Sequence, residues 1–480
     1  MTAQTRSAGA DEAAPPAPRL LDPRNLPVVA GILALVTLGA FENRAVTTVL
    51  PVVVRDLDGW GLFGAATGAS LVTFVIATAW AGGWTDRSGP TRVLLSGLVV
   101  FVVAQAVSAL APTMAVFVAG RALSGAAEAL VDVSLMVLVA QALPEALRAR
   151  VFATFAAAWI LPSLLGPSLA GAIDAVAGWR LVFLGPLLVV PLALHLVRPA
   201  LRGTHPGVAD ARPGDGERGR VAASVLLAAG LAVATFSAPL LDDPSSRPLG
   251  LTVAATGAVL VAVGAGHALP RGTARLAPGV PAVVGIRLLV TAAFTGVGAT
   301  IPLMLVTTRD ASTALAGVSL SVTGTMWAAG SWWSSSDAVQ RRTSAATRVR
   351  AGAVLITVGS AGPVLIALDV VGVLTGMAGW ALAAAGMGIA SPTLSTELLR
   401  VAAPPEQGRA SAAQGLAMST GVALQTGLVG AVVAWQGSTI GGPSFAVLMG
   451  TGAVLAAVAA VGCGRLSKAG LRDGAVAVRS

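Results

Sequence analysis

Charged residues interrupt three long apolar stretches of the sequence and are the first candidates for chemistry. These residues are Glu42, Arg44, Arg121, Glu128, Asp132 and Arg287. A charged side chain at the centre of a spanning helix costs roughly 2.5–3.5 kcal/mol on insertion scales, so such residues usually face a water-filled or protein-lined interior. Carboxylates there can bind and release protons, and arginines can neutralise them. The pattern predicts a polar cavity inside a membrane protein.

The acidic and basic residues are spaced so that they can meet. Arg121, Glu128 and Asp132 are seven and four residues apart, which places them within about 40° of one another on a helix. Glu42 and Arg121 fall at comparable depth on antiparallel spans, so a contact is allowed. We hypothesise that the three acids exchange protons while Arg44 and Arg121 hold them electrostatically. A static charge-neutralised network is the alternative, and Arg287 fits a cavity-facing or a helix-pairing role equally well.

The composition decides the class of protein that positions these residues. Of the 480 residues 55% are hydrophobic and 11% are charged, with a mean hydropathy of +0.81. Apolar runs of about 20 residues, enough to cross a bilayer, recur along the chain. We therefore expect an all-α polytopic membrane protein. We also expect that it is not an enzyme and has no catalytic residues, metal or cofactor, because the sequence contains no His-rich cluster, nucleophile–base spacing or P-loop. The basic residues are scattered, which argues against nucleic acid as a partner.

The apolar runs predict fourteen spans arranged as six, two and six. We place them near 26–56, 61–81, 93–111, 114–140, 150–172, 180–198, 221–241, 249–268, 280–306, 315–333, 349–367, 371–398, 408–435 and 443–463. The predicted domains are a disordered cytoplasmic tail (1–25), a first six-helix bundle (26–200), a cytoplasmic loop with two extra transmembrane helices (201–279), a second six-helix bundle (280–463) and a cytoplasmic tail (464–480).

The distribution of basic residues supports that count. With the amino terminus inside, 24 of the 31 Lys and Arg residues fall in inner segments and four fall in outer ones. Such a bias is what the positive-inside rule requires. A missed or extra span in the middle would reverse one half of the protein and destroy the bias. We therefore predict that both termini are cytoplasmic.

A loop motif carries a resemblance to a known family. Residues 82–92 read Gly-Gly-Trp-Thr-Asp-Arg-Ser-Gly-Pro-Thr-Arg. This segment resembles the signature Gly-x-x-x-Asp-Arg-x-Gly-Arg-Lys/Arg of the major facilitator superfamily, matching it at Gly82, Asp86, Arg87 and Gly89. Arg92 takes the place of a missing basic residue. The resemblance implies two bundles around a cavity, held together by an inner latch at this loop.

Two further motifs refine the resemblance. Residues 42–51 are similar to the first-helix element of the fourteen-helix drug:proton antiporters, with Glu42 at an acidic position and Arg44 where the family has Thr. Gly166, Pro167 and Gly171 resemble the glycine-proline element that marks antiporters in the fifth helix. In the second half, Ser334 replaces the acid of the loop signature, so we expect the latch in the first half alone.

The resemblance implies a secondary active transporter that works by alternating access. We expect proton-coupled export of amphipathic small molecules of the multidrug type, with the small-molecule substrate, protons and membrane lipids as partners. Export of a lipid-like or anionic metabolite stays open, because Arg44, Arg121 and Arg287 suit an anion. A non-transporting sensor or scaffold is the alternative of another class. We expect a monomer in a bacterial plasma membrane.

Overall fold

The chain folds almost entirely into long helices. The computed structural model describes residues 22, 23, 25–204, 215–236, 240, 245–309, 313–436 and 440–466. Within these ranges we number the helices of 20 or more residues α1 (Leu26–Asp56), α2 (Phe63–Ser88), α3 (Pro90–Ala109), α4 (Met114–Ala142), α5 (Glu145–Ala177), α6 (Trp179–Arg202), α7 (Asp215–Phe236), α8 (Arg247–Ala268), α9 (Val280–Arg309), α10 (Thr313–Ser335), α11 (Ala345–Ala367), α12 (Val373–Val401), α13 (Gln407–Gln436) and α14 (Gly442–Gly462). A short helix, Asp337–Arg342, follows α10.

The structure has the helical, multi-pass character that the composition predicts. Among the described residues, ten helices are long and apolar enough to cross a membrane, namely α1 to α4, α6, α8, α9, α11, α12 and α14. The count of fourteen spans stays a prediction, because α5, α7, α10 and α13 do not belong to this set. Residues 1–21 and 467–480, which make up most of the two predicted tails, lie outside the described residues, as do residues 205–214.

Proline and glycine set several helix boundaries. Proline occupies the first turn of α1, α3, α8 and α14, where its missing N–H costs no hydrogen bond. Gly89 and Gly178 are the single residues between α2 and α3 and between α5 and α6, and both have positive φ (78° and 80°). One expectation was wrong: residues 82–88 are not a connector. They form the last turns of α2, because the chain stays helical until Gly89 reverses it.

The helices form two groups with the same internal packing. In the first group α1 packs against α5 and α6, α2 against α4, and α3 against α4 and α6. In the second group α9 packs against α13 and α14, α10 against α12, and α11 against α12 and α14. The groups meet mainly where α2 packs against α13 and α5 against α10. These pairings describe two pseudo-equivalent bundles with a shared interface.

The remaining two helices, α7 and α8, form a hairpin beside that interface. They pack against each other and against α2 and α13, one helix from each bundle. Glycines allow the close approach: a Cβ on Gly257 would lie 2.9 Å from the backbone of Ala234, and one on Gly230 would lie 2.7 Å from that of Val261. Small residues of this kind let helix backbones pack closely in membranes.

We expect the hairpin to separate when a side chain is added at this contact. Gly257→Val should lower the stability of the protein by about 1–3 kcal/mol, the usual cost of overpacking, and lower the midpoint of its thermal unfolding. Gly266→Val is the matched control, since a Cβ there meets nothing within 4 Å. Equal midpoints for the two variants would contradict the packing described here.

Candidate functional site

A buried ion pair joins the first and fourth helices. A guanidinium nitrogen of Arg121 on α4, Nη1, donates a hydrogen bond to Oε1 of Glu42 on α1. The other terminal nitrogen, Nη2, donates to the Ser70 hydroxyl on α2 at 3.1 Å. Both charged side chains are almost fully buried, at 6% and 7% exposure. The contact that the helix spacing allows is therefore present, and it compensates two charges in the interior.

Two more carboxylates share a cavity with Glu42. Glu128 and Asp132 follow Arg121 along α4 and line this cavity, whose apolar walls include Leu98, Phe101 and Trp159. The Asp132 side chain is exposed and forms part of the cavity lining. Neither Glu128 nor Asp132 has an ion pair among the described residues.

The cavity is of a size for water. Its volume is about 70 Å³, and an ordered water needs about 10–15 Å³ of such volume and two to four polar partners. A few water molecules therefore fit beside the three carboxylates, which offer acceptors. All of the lining residues belong to the first bundle. This arrangement can hold and move protons, whereas a drug-sized molecule would need a wider opening.

Arg44 lies apart from the cavity lined by Glu42, Glu128 and Asp132, which we call the acid cavity. Its side chain is exposed, and it is not among the residues that line the cavity. Its Cβ faces α5, where a Cβ added to Gly166 would lie 3.3 Å away. The structure therefore brings Arg121, and not Arg44, against Glu42.

The residues of the glycine-proline element all lie in α5. Gly166 packs against α1, Pro167 lies within the continuous helix, and a Cβ on Gly171 would meet nothing within 4 Å.

Arg287 is the buried cation of the second bundle. It lies on α9 with 5% exposure. Its Nη1 donates to the backbone oxygen of Ser391 at 3.0 Å and to the Ser391 hydroxyl at 2.9 Å, both on α12. Its Nη2 lies 3.2 Å from the sulfur of Met418 on α13. Arg287 and Asp132 attract each other electrostatically across the bundle interface, so the two bundles present opposite charges to each other.

The predicted latch residues meet the start of α13. The Asp86 carboxylate accepts the backbone N–H groups of Gly408 at 2.6 Å and Arg409 at 3.1 Å, and the Arg409 guanidinium lies 3.6 Å away. The free N–H groups and positive dipole of a helix start favour such a carboxylate. A Cβ on Gly82 would lie 2.6 Å from that of Ala412 on α13. Asp86 thus ties the first bundle to the second at this end of the molecule, which we call the latch end.

The other three residues of the motif lie around this contact. Arg87 is half-buried in the last turn of α2. Gly89 makes the reversal into α3. Arg92 is exposed in the first turn of α3. The structure therefore brings Gly82 and Asp86 to the bundle interface and leaves Arg92 at the surface.

A second cross-bundle contact was missed in the sequence. Asp337, at the start of the short helix after α10, forms an ion pair with Arg150 in α5. In the pseudo-equivalent bundles, α10 corresponds to α2, and α5 corresponds to α13. The Asp337–Arg150 pair therefore repeats the Asp86 contact with the roles of the two bundles exchanged. The expectation that the latch exists in the first half alone was wrong. Asp337 lies three residues beyond Ser334, so an acid displaced from the motif position was the available signal.

Comparison with known proteins agrees with this architecture. A model of the Major Facilitator Superfamily matches residues 32–426, which run from α1 into α13. The chain belongs to the Major Facilitator Superfamily. This membership and the long apolar helices identify it as a multi-pass membrane protein of a transporter family, not of an enzyme family. The fold is shared with the human organic anion transporter MFSD10, at a TM-score of 0.65 and 15% identity over 92% of this chain and 100% of that one.

Relatives with similar sequences match a part of the chain. The "Probable multidrug-efflux transporter" of Mycobacterium tuberculosis is 33% identical over 236 residues, 49% of this chain and 49% of the relative. The "Methylenomycin A resistance protein" of Bacillus subtilis is 32% identical over 196 residues, 40% of each protein. The chain thus spans about half or less of the length of these curated relatives.

Removal of one partner of the buried ion pair should be more harmful than removal of both. Arg121→Met leaves the Glu42 carboxylate buried and uncompensated, which costs about 3–5 kcal/mol. Adding Glu42→Gln should recover most of that loss, because no buried charge is then left. Thermal unfolding of the two single variants and the double variant, taken as a double-mutant cycle, measures this coupling. A double variant as unstable as Arg121→Met would contradict it.

Loss of the Asp86 charge should open the latch end. Asp86→Asn keeps the shape but removes the charge assistance from bonds worth about 1.5–3 kcal/mol, so we expect roughly a tenfold shift toward the open state. Spin labels at Arg92→Cys and Arg341→Cys, on the two bundles, report the distance. Asp369→Asn is the control, since Asp369 pairs with Arg309 inside the second bundle. An unchanged distance distribution in Asp86→Asn would exclude the latch role.

Proposed function

We propose that this protein is a proton-coupled exporter of amphipathic small molecules that works by alternating access. The observation that carries the proposal is the Glu42–Arg121 pair beside Glu128 and Asp132 in one cavity with room for water. Buried carboxylates that water can reach are typical of proton relays in transporters. The names of the relatives, which include multidrug efflux and methylenomycin A resistance, support a drug-like cargo.

Proton exchange couples to transport through the cost of a buried charge. When Glu128 and Asp132 bind protons, the cavity loses negative charge, and moving these groups into a closed, apolar environment costs less. When they release the protons, an amphipathic cation can take their place, since a carboxylate attracts a cation strongly where the dielectric constant is low. Arg121 keeps Glu42 oriented during the exchange. Proton and substrate thus compete for the same negative charge.

The proposed topology places the latch end in the cytoplasm. The bias of basic residues toward one side supports fourteen spans with both termini inside. The contacts of Asp86 and Asp337 hold the two bundles together at that end. We assign the chain to the fourteen-helix drug:proton antiporter branch, in a bacterial plasma membrane and as a monomer. The α7–α8 hairpin beside the interface is the feature that supports this branch.

Transport in a purified system tests the proposal. Everted proteoliposomes with an imposed pH gradient should accumulate fluorescent amphipathic cations, and accumulation should fall to that of empty vesicles in Glu42→Gln and in Asp132→Asn. Glu145→Gln is the matched control because Glu145 is exposed at the start of α5. It should transport at the native rate.

Two results would overturn the proposal. The first is a lack of gradient-driven transport by the native protein across a panel of amphipathic cations, which would favour an anionic or lipid-like cargo or a non-transporting role. The second is full coupling in both carboxylate variants, which would place the proton site elsewhere.

A further inference from the structure

The second bundle buries a positive charge that has no carboxylate beside it. Among the described residues, Arg287 forms no ion pair, and the hydrogen bonds of its guanidinium go to Ser391 and Met418. These partners are neutral, and its Nε has no partner although it is fully enclosed. An isolated buried cation is costly unless a counter-charge compensates it. Its attraction to Asp132 across the interface supplies part of that compensation from a distance.

Other incompletely bonded polar groups surround Arg287. The hydroxyl of Thr291, one turn along α9, is buried without a hydrogen bond, and so is Oε1 of Gln414 on α13. Gln414 lies one turn from Met418 and donates through Nε2 to the Ser395 hydroxyl at 3.1 Å. Ser395 lies one turn from Ser391 on α12. Helices α9, α12 and α13 thus carry buried donors and acceptors whose hydrogen-bonding capacity is only partly used.

These polar residues of the second bundle contact the first bundle near the acid cavity. Nε2 of Gln414 lies 3.7 Å from the sulfur of Met136 on α4. Met136 is one turn along the helix from Asp132, which lines the acid cavity with Glu128. A ligand between the bundles would therefore contact acids on one side and Arg287 on the other. The negative and positive groups belong to different bundles.

We propose that Arg287 is the anion-binding group of a substrate subsite, and that the preferred substrates are zwitterions with a cationic end and a carboxylate or similar acidic end. The cationic end would lie toward Asp132 and Glu128, and the acidic end would accept hydrogen bonds from Arg287 Nε and the Thr291 hydroxyl. This inference rests on the proposed transport function and names its substrate class.

Charge balance selects a zwitterion over the simpler classes. A cation compensates Asp132 but separates it from Arg287, which is then left as an uncompensated buried charge. An anion compensates Arg287 but leaves Asp132 without a counter-charge. A molecule with both charges replaces each partner of the Asp132–Arg287 attraction at once, so that no charge is left alone when the bundles close around it. The two ends of the substrate thus bind to different bundles.

A pair of dyes that differ in one group tests this subsite. Rhodamine B carries a delocalised cation and a free carboxylate, and its ethyl ester keeps the cation and lacks the carboxylate. Binding is measured by fluorescence polarisation against the full-length protein in nanodiscs, with empty nanodiscs subtracted. A charge-assisted hydrogen bond corresponds to a preference for the free acid of about tenfold to a hundredfold.

Variants of Arg287 assign the preference to that residue. Arg287→Gln should abolish the preference by weakening rhodamine B binding, while binding of the ester is unchanged or tighter, because the variant leaves no uncompensated buried cation. Arg287→Lys should retain part of the preference because it keeps the charge. Arg309→Gln is the matched control, since it removes a cation from the opposite end of the same helix. Size-exclusion profiles confirm that each variant is folded.

The outcomes separate this inference from the proposed function. The zwitterion subsite would be overturned if the native protein did not prefer rhodamine B, or if Arg287→Gln weakened binding of both dyes equally. Gradient-driven transport of the ester in the same experiments would leave the proposed exporter function intact. Transport of neither dye, with binding preference intact, would overturn the proton-coupled exporter and keep the subsite.

Discussion

The buried ion pair between Glu42 and Arg121 sets the constraint on which the first bundle depends. A carboxylate enclosed by apolar helices needs a cation or a proton, because an isolated ionised group in such surroundings is too costly. Arg121 satisfies Glu42, and Ser70 holds Arg121 in place. This leaves Glu128 and Asp132 as the carboxylates of the cavity without an ion-pair partner within the described chain. One acid of the cavity has an ion-pair partner and the other two do not, and this difference supports the proposed role of the cavity in proton exchange.

The two bundles repeat one packing plan but not one chemistry. Each has the same helix neighbours, and each contributes an acid near the end of its second helix to the partner bundle: Asp86, in the last turns of α2, to the start of α13, and Asp337, just after α10, to Arg150. The two contacts differ in strength of bonding. Asp86 binds two backbone N–H groups of a helix start, whereas Asp337 makes a partly exposed ion pair, a kind of contact that contributes little in water. The latch is therefore asymmetric even though the fold is symmetric.

The charges of the interior are divided between the bundles in the same asymmetric way. The acid cavity belongs wholly to the first bundle, and the buried Arg287 belongs to the second. Movement of one bundle against the other changes the distance between these opposite charges, and so changes their attraction. Any molecule or proton that alters one of the charges also alters the preferred relation of the bundles. This electrostatic arrangement is the physical basis of the coupling between ligand and conformation that we propose.

The sequence by itself determined the class of fold, the helix positions and the residues worth attention. Apolar run length, the spacing of Arg121, Glu128 and Asp132, and the motif at Asp86 are local properties, and helix geometry converts them into faces and depths. Only the tertiary structure decided which charges meet. It paired Glu42 with Arg121 and turned Arg44 away, added Asp337 to the latch end, and surrounded Arg287 with neutral groups. These outcomes depend on how helices distant in sequence are rotated and packed against one another, and the pattern within a single helix contains no information about its neighbour's rotation.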